Sequence, residues 1–287
     1  MATLRDIKRK IVSINSTQTI TRTMKMASAS KLRRAQEGLD KIRAYALKME
    51  EMTARVVRRV PGDMHPLLTE REEIKNVLIV SMASDKGLCG GFNVNIGLQT
   101  ENFIIQNKDS YDNIGVYVFG RKVKDYLQRR KINIIKDWSD VRKIDQDFVD
   151  VMANDLIKFY TEGTFDKVYL LHNHFYSAIK QIPVFEEFMP VKAHITEPES
   201  MDYLYEPDKE RIIKAIIPKY ISTKIYFALL DSLTSEHAAR MAAMENATNN
   251  CGEMINNLTL IYNKRRQESI TNEMMDIVGG AEALRGT

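Results

Sequence analysis

The sequence predicts an α/β domain inserted between two long terminal helices, and three observations carry that reading. All seven prolines lie between Pro61 and Pro218, so residues 1–60 and 219–287 contain none. Both of those ends repeat apolar side chains at alternating steps of three and four, the heptad spacing of paired helices. Between them the period changes to short β-branched or aromatic runs separated by helical patterns, which argues for an open, mostly parallel sheet. The chain divides accordingly into an N-terminal helix over 1–60, an α/β domain over 61–207 and a C-terminal helical segment over 208–287.

Composition excludes several classes. The 287 residues are 44% hydrophobic and 28% charged, and mean hydropathy is −0.32, as in a soluble protein. No run approaches the ~18 apolar residues that span a bilayer. Cys89 and Cys251 sit far apart without metal-ligand spacing, which argues for a reducing compartment and against a disulfide scaffold. With only 13 glycines and 7 prolines, long helices are expected.

In the N-terminal helix the seam runs Leu4, Ile7, Ile11, Ile14, Gln18, Thr21, Lys25, Ser28, Leu32, Ala35, Leu39, Ile42, Ala46, Met49, Thr53, Val56 and Val60. Gln18, Thr21, Lys25 and Ser28 interrupt its apolar character, while Ile20, Met24 and Met26 fall off the seam. A buried seam resists such polarity, so another surface is expected to meet the helix there. Residues 1–60 hold 15 basic and 5 acidic side chains, although the whole chain is only +4. That basic face suits phosphate tracking in principle. The segment has a single aromatic, Tyr45, and so no stacking platform for nucleic acid. A solvated face or an acidic protein partner is the better reading. The few acids near the start also imitate a transit peptide, but heptads running from Leu4 place those residues in the fold.

The C-terminal helix spaces Tyr226, Leu230, Leu233, His237, Arg240, Met244, Ala247, Cys251, Met254, Leu258 and Ile261 in the same way. The register is expected to slip at Lys264–Ser269, with Arg265 and Glu268 on the seam, and to resume at Ile270, Met274, Ile277, Ala281 and Leu284. Because proline removes a helical hydrogen bond and clashes with the preceding turn, a short helix is expected at about 208–217. The long one then starts near Pro218. Heptads at both chain ends fit an antiparallel coiled coil and an extended helical bundle equally well.

In the middle, strands are expected at Asn76–Ala83, Ile114–Phe119, Ile132–Ile135, Lys167–His172 and, returning along an edge, Gln181–Phe188. Helices are expected at Phe92–Gln106, Arg121–Arg130 and Gln146–Thr161. The loop SDKGLCGGFN from Ser84 follows the first strand, where a dinucleotide fold places its phosphate loop. It lacks both G-x-G-x-x-G and a terminal G-K-[ST], and reads as a tight glycine turn. His172 and His174 have a spacing that two metal ligands could use. No carboxylate or cysteine cluster accompanies them in sequence, so they read as a polar strand terminus. Asp85, Lys86 and Cys89 have no histidine base nearby, and catalysis is unsupported.

Four stretches, in order along the chain, resemble the γ subunits of bacterial F-type ATP synthases: RDIKRKIVSINSTQTITRTMKMASASKLRRAQ from Arg5, SDKGLCGGFN from Ser84, SEHAARMAAMENATNN from Ser235 and ITNEMMDIVGGAEA from Ile270. The resemblance implies an antiparallel coiled coil of the terminal helices with a Rossmann-like domain inserted. It also implies a non-catalytic rotor shaft that couples c-ring rotation to ATP chemistry elsewhere. No catalytic, cofactor or metal residue is expected. The implied partners are the hexamer of α and β subunits, the ε subunit and the membrane c-ring, with no nucleic acid. The implied location is the cytoplasmic face of a bacterial plasma membrane, peripheral and held through the complex only. By the same resemblance Met24 and Lys25 meet a β-subunit lever loop, and Arg240, Arg266, Gln267 and Thr271 contact surrounding α/β loops. Chloroplast and cyanobacterial relatives carry an insertion in the central domain, with a redox cysteine pair in the chloroplast form. Neither feature is found in this sequence.

Overall fold

The computed structural model describes residues 3–58, 64–141, 143–192, 206 and 208–285. In chain order the elements are α1 (Leu4–Arg58), β1 (Asn76–Met82), α2 (Phe92–Gln106), β2 (Asn113–Phe119), α3 (Arg121–Arg129), β3 (Ile134–Trp138), α4 (Gln146–Thr161), β4 (Lys167–Phe175), β5 (Gln181–Met189) and α5 (Lys209–Arg285). They form two compact units, one from Met1–Ala27 with Met241–Thr287 and one from Ser28–Arg240. The seam position Val60 and the expected boundaries at 60/61 and 207 lie outside the described residues.

The Ser28–Arg240 unit is built on a five-stranded sheet in the order β3-β2-β1-β4-β5. The first four strands are parallel, and β5 returns antiparallel to β4. Val77–Val80 of β1 form an unbroken apolar run because helices cover both faces of the sheet. On one face Ile79, Val116, Val118 and Leu171 pack with Ile96, Val123 and Leu127 of α2 and α3. On the other, Leu78, Val80, Tyr117 and Leu170 pack with Met152 and Leu156 of α4 and with Met49, Ile217, Ile221 and Ile225 of α1 and α5. Helix α4 starts where Asp145 accepts the Phe148 amide hydrogen at 3.1 Å. The β2–α3 turn requires glycine: Gly120 has φ of +98°, and a Cβ there would lie 2.5 Å from the Ala83 carbonyl oxygen.

Strand β3 begins two residues later than expected and reaches Trp138. There the indole N–H donates to the Tyr117 hydroxyl at 2.6 Å, and the ring stands edge-on to Phe148. A second departure concerns Pro218, which does not divide a short helix from a long one: α5 runs through it. Proline inside a helix costs about 3 kcal/mol, here by leaving the Lys214 carbonyl without its amide partner. Ile213, Ile217 and Ile221 around it are almost wholly buried. At roughly 1.5–3 kcal/mol for each buried aliphatic side chain, their packing outweighs the lost bond.

The other unit pairs the start of α1 with the later part of α5, antiparallel. Lys25 meets Glu245, while Gln18 and Thr21 meet Thr248. Along α1 the covered positions are those of the expected seam, Leu4, Ile7, Ile11, Ile14, Gln18, Thr21 and Lys25, with Met24 beside them. Along α5 the strip differs from expectation beyond Cys251. It runs through Ile255, Leu258, Tyr262, Arg265 and Ser269, whereas Met254 and Ile261 are 55% and 47% exposed. The register therefore does not slip at Lys264–Ser269. Residues Ala247, Thr248, Cys251 and Gly252 are all half-covered, so two phases of the 3–4 alternation are open there, and close approach of the helices selects the later one. A Cβ on Gly252 would lie 3.2 Å from Gln18 Nε2.

Candidate functional site

The polar part of the α1 seam is where sequence reasoning expected an outside surface. Instead α5 satisfies it. Gln18 Nε2 donates to the Thr248 carbonyl at 3.2 Å, and the Thr248 hydroxyl lies 2.8 Å from that of Thr21. Lys25 Nζ stands 2.5 Å from Glu245, both side chains reaching solvent. Buried polar groups are tolerated when paired in this way, and paired polar groups set a register that apolar contacts leave loose. The outward face of α1 is mainly basic and polar, with Arg5, Lys8, Arg9, Lys10 and Arg22 exposed, but it also carries Val12, Ile20 and Met26, each exposed by more than half.

On α5 the covered strip ends at Ser269, and residues 270–281 are exposed throughout. Arg266, Gln267 and Thr271 are exposed, with the Thr271 hydroxyl donating to the Gln267 carbonyl at 2.9 Å. Ile270, Met274, Met275, Ile277 and Val278, expected on a resumed seam, all face solvent, Ile277 at 72%. An isolated helix pair has no use for so many exposed apolar side chains, and runs of this kind mark interaction surfaces. Of the six positions singled out in sequence, the unit brings Met24 and Lys25 together on α1, and Arg266, Gln267 and Thr271 together on α5.

Arg240 is placed otherwise, in the sheet unit and only 8% exposed. Its guanidinium donates to the carbonyls of Lys86 and Gly87, each at 3.2 Å, and pairs with Glu236 at 2.7 Å. It thereby ties α5 to the Ser84–Asn93 loop. That loop is a tight turn with Leu88 and Gly90 at positive φ, and Asn93 cross-links it. The Asn93 side-chain oxygen accepts from the Ser84 amide and hydroxyl at 2.9 Å, and its amide nitrogen donates to the Lys86 carbonyl at 3.3 Å. Burial pushes the Glu236 carboxyl up despite Arg240. Burial, then the nearby Arg240 and Lys31 charges, push His237 down to about 4. The Cys89 thiol is raised by burial, which disfavours the reactive thiolate. The i, i+4 pair Glu236/Arg240 was visible in sequence, but nothing in the sequence linked it to a loop some 150 residues away.

A second grouping escaped sequence reasoning. Asp231 of α5 supplies the carboxylate that His172 and His174 lack locally: its Oδ2 lies 2.5 Å from His174 Nδ1 and 3.6 Å from His172 Nε2. The Phe175 amide donates to the other Asp231 oxygen at 2.9 Å. Burial alone would raise the Asp231 carboxyl, but hydrogen bonds from His172, the Phe175 amide and His174 hold it below its ordinary value.

A long helix pair combined with a parallel-sheet domain is an architecture that solved structures share. The central stalk and c-ring structure of the Tetrahymena thermophila mitochondrial ATP synthase contains a chain similar at TM-score 0.62 and 26% identity, over 79% of this chain and 99% of that one. A chain of the Euglena gracilis mitochondrial ATP synthase shares the fold at TM-score 0.69 and 17% identity, over 98% and 94%. The ATP synthase family model matches residues 3–284. The ATP synthase gamma chains of an Anaeromyxobacter species and of Bdellovibrio bacteriovorus are 41% and 42% identical, over 99% and 100% of this chain and all of theirs. The chain belongs to the ATP synthase gamma chain family and is a non-catalytic rotor subunit of the central stalk. Among the described residues no helix is long and apolar enough to cross a membrane, and the subunit is peripheral.

Proposed function

We propose that the paired-helix unit of residues 4–27 and 241–285 is the shaft that turns inside a hexamer of α and β subunits. Met24, Lys25, Arg266, Gln267 and Thr271 would form its contact surface. In this reading Arg240 is a positioning residue: with its guanidinium held by Lys86, Gly87 and Glu236, it acts through the loop it holds. The observation that carries the reading is the run of exposed apolar side chains on α5, Ile270, Met274, Met275, Ile277 and Val278, beside the exposed Arg266, Gln267 and Thr271. Such a surface suits a surrounding sleeve. Isolated apolar tips and exposed polar side chains make many weak contacts that exchange as the shaft turns. A rotor must also favour a different partner conformation in each orientation, since equal affinity for all states shifts no equilibrium. The ε subunit and the c-ring are the remaining partners, and the complex sits at the cytoplasmic face of a bacterial plasma membrane. The basic α1 would complement acidic loops and aid register more than raw affinity.

The test is the double substitution Arg266→Ala with Gln267→Ala in the assembled complex, beside the surface control Lys158→Ala. Both target residues are exposed, so the isolated subunit should lose less than ~0.5 kcal/mol of stability. ATP hydrolysis or subunit content of the purified complex should nevertheless fall several-fold below the control. Equal turnover and equal assembly would remove these residues from the torque-bearing surface.

A further inference from the structure

We infer that His172, His174 and Asp231 form a binding site for a borderline transition-metal dication, with Zn²⁺ the best match. The three side chains come from β4 and from α5, within the sheet unit. One ligand atom from each, two imidazole nitrogens and a carboxylate oxygen, lies within 4.8 Å of the others. Two histidines and one carboxylate, with a fourth position open to water or another ligand, is a donor set that zinc accepts. Imidazole nitrogens select against magnesium and calcium, which take oxygen ligands. At Zn–ligand distances near 2.0–2.1 Å, tetrahedral ligands stand about 3.3 Å apart. The His172–Asp231 separation of 3.6 Å is close to that. The His174–Asp231 pair at 2.5 Å has to open by about 0.8 Å on that geometry.

Two further observations support a site rather than a mere tie between strand and helix. Asp231 is fully buried, and its second oxygen is occupied by the Phe175 amide, the outer-shell restraint that orients a metal-binding carboxylate. Finally, His172 and His174 line a cavity of about 300 Å³ bordered by Glu50, Glu186 and Lys224. Lys224 is paired with Glu186 at 3.1 Å, so the carboxylates around the cavity outnumber its cations and favour a dication. The cavity gives an entry path and room for the fourth ligand. Bound metal would join β4 to α5 more firmly, which makes this site independent of the shaft surface proposed above.

The experiment uses the full chain, stripped with a chelator and dialysed against Zn²⁺, with Co²⁺ as a spectroscopic substitute. One equivalent of Zn²⁺ per chain, a rise in melting temperature on adding it, and the intense visible absorption of tetrahedral Co²⁺ are expected. His174→Gln should weaken Zn²⁺ binding at least tenfold while leaving far-UV dichroism unchanged, because His174 is partly exposed and tolerant of substitution. Asp231→Asn should abolish binding. His65→Asn, a histidine outside the cluster, should bind as the parent does. Zinc retained no better than by the His174→Gln chain, or a Co²⁺ spectrum of octahedral character, would overturn the inference and leave the cluster as a structural tie.

Discussion

In the sheet unit Val77 through Val80 are sealed on both faces and the surrounding core is apolar. In the paired-helix unit the covered strip mixes apolar residues such as Ile7, Ile11, Ile14, Ile255 and Leu258 with Gln18, Thr21, Lys25, Thr248 and Arg265. The two solutions stabilise differently. Apolar burial is non-directional and large, about 25 cal/mol per Å². An internal hydrogen bond contributes only about 1 kcal/mol net, yet it is satisfied in one geometry alone. The sheet unit is therefore held by quantity of burial, while in the shaft a narrower apolar strip supplies burial and the paired polar groups fix the register. A rotor needs that division, because a shaft with a broad apolar strip would pair in several registers, and each would present a different outer surface to its partners.

The comparison breaks most readily at the core. Leu78→Ala should destabilise the sheet unit by roughly 2–5 kcal/mol, the range for emptying a well-packed site. Ile14→Ala, on the half-covered seam, should cost about 1 kcal/mol or less, since less area returns to water. Trp138 is the chain's single tryptophan and lies in the sheet unit. Denaturation followed by its fluorescence should therefore register the first variant and not the second, while far-UV dichroism registers both. Similar losses in the fluorescence transition would show that the two regions do not differ in the way described.

A smaller effect concerns pH. His237, in the sheet unit, titrates near 4 when folded because burial and the adjacent Arg240 charge disfavour imidazolium. Unfolded, it titrates near 6.5. Between those values the unfolded chain binds the additional proton, so stability contributed by the neutral ring is present above about 6.5 and is lost as pH falls towards 4. The loss should be on the order of 1 kcal/mol, allowing for the part of the ring that solvent reaches. Chemical denaturation at pH 7 and pH 4.5 should show His237→Gln losing less stability than the parent on acidification. An equal loss in both would assign the acid sensitivity to carboxylates elsewhere.

The smallest effect, and the most specific to the shaft, is the coupling between Thr21 and Thr248. Each change to valine should cost up to about 1 kcal/mol, since it removes the contact between helices while the remaining hydroxyl keeps its own backbone partner, the Gln18 carbonyl for Thr21 and the Met244 carbonyl for Thr248. The double variant should cost less than the sum by about 0.5 kcal/mol or more. Additive losses in a dichroism-monitored cycle would mean that the 2.8 Å contact does not help set the register.

Much of this molecule follows from spacing along the chain. The period of three and four placed the α1 seam at Leu4, Ile7, Ile11, Ile14, Gln18, Thr21 and Lys25, and those are the covered positions. Period and turn chemistry likewise located strands β1 to β5 and helices α2 to α4 to within a few residues, because backbone geometry alone decides which side chains share a face. Partners are another matter. That Thr248 and Glu245 receive the polar seam, that Arg240 is buried on the Lys86–Gly87 carbonyls, and that Asp231 completes the pair His172 and His174 depends on contacts between residues some 57 to 227 positions apart. Helix α5 passes through Pro218 for a similar reason, since packing around it outweighs one lost hydrogen bond. Local rules act within a few residues, so the sequence by itself determined which faces exist. Only the tertiary structure decided what each face meets, because pairing energies are collected between segments whose approach no local pattern encodes.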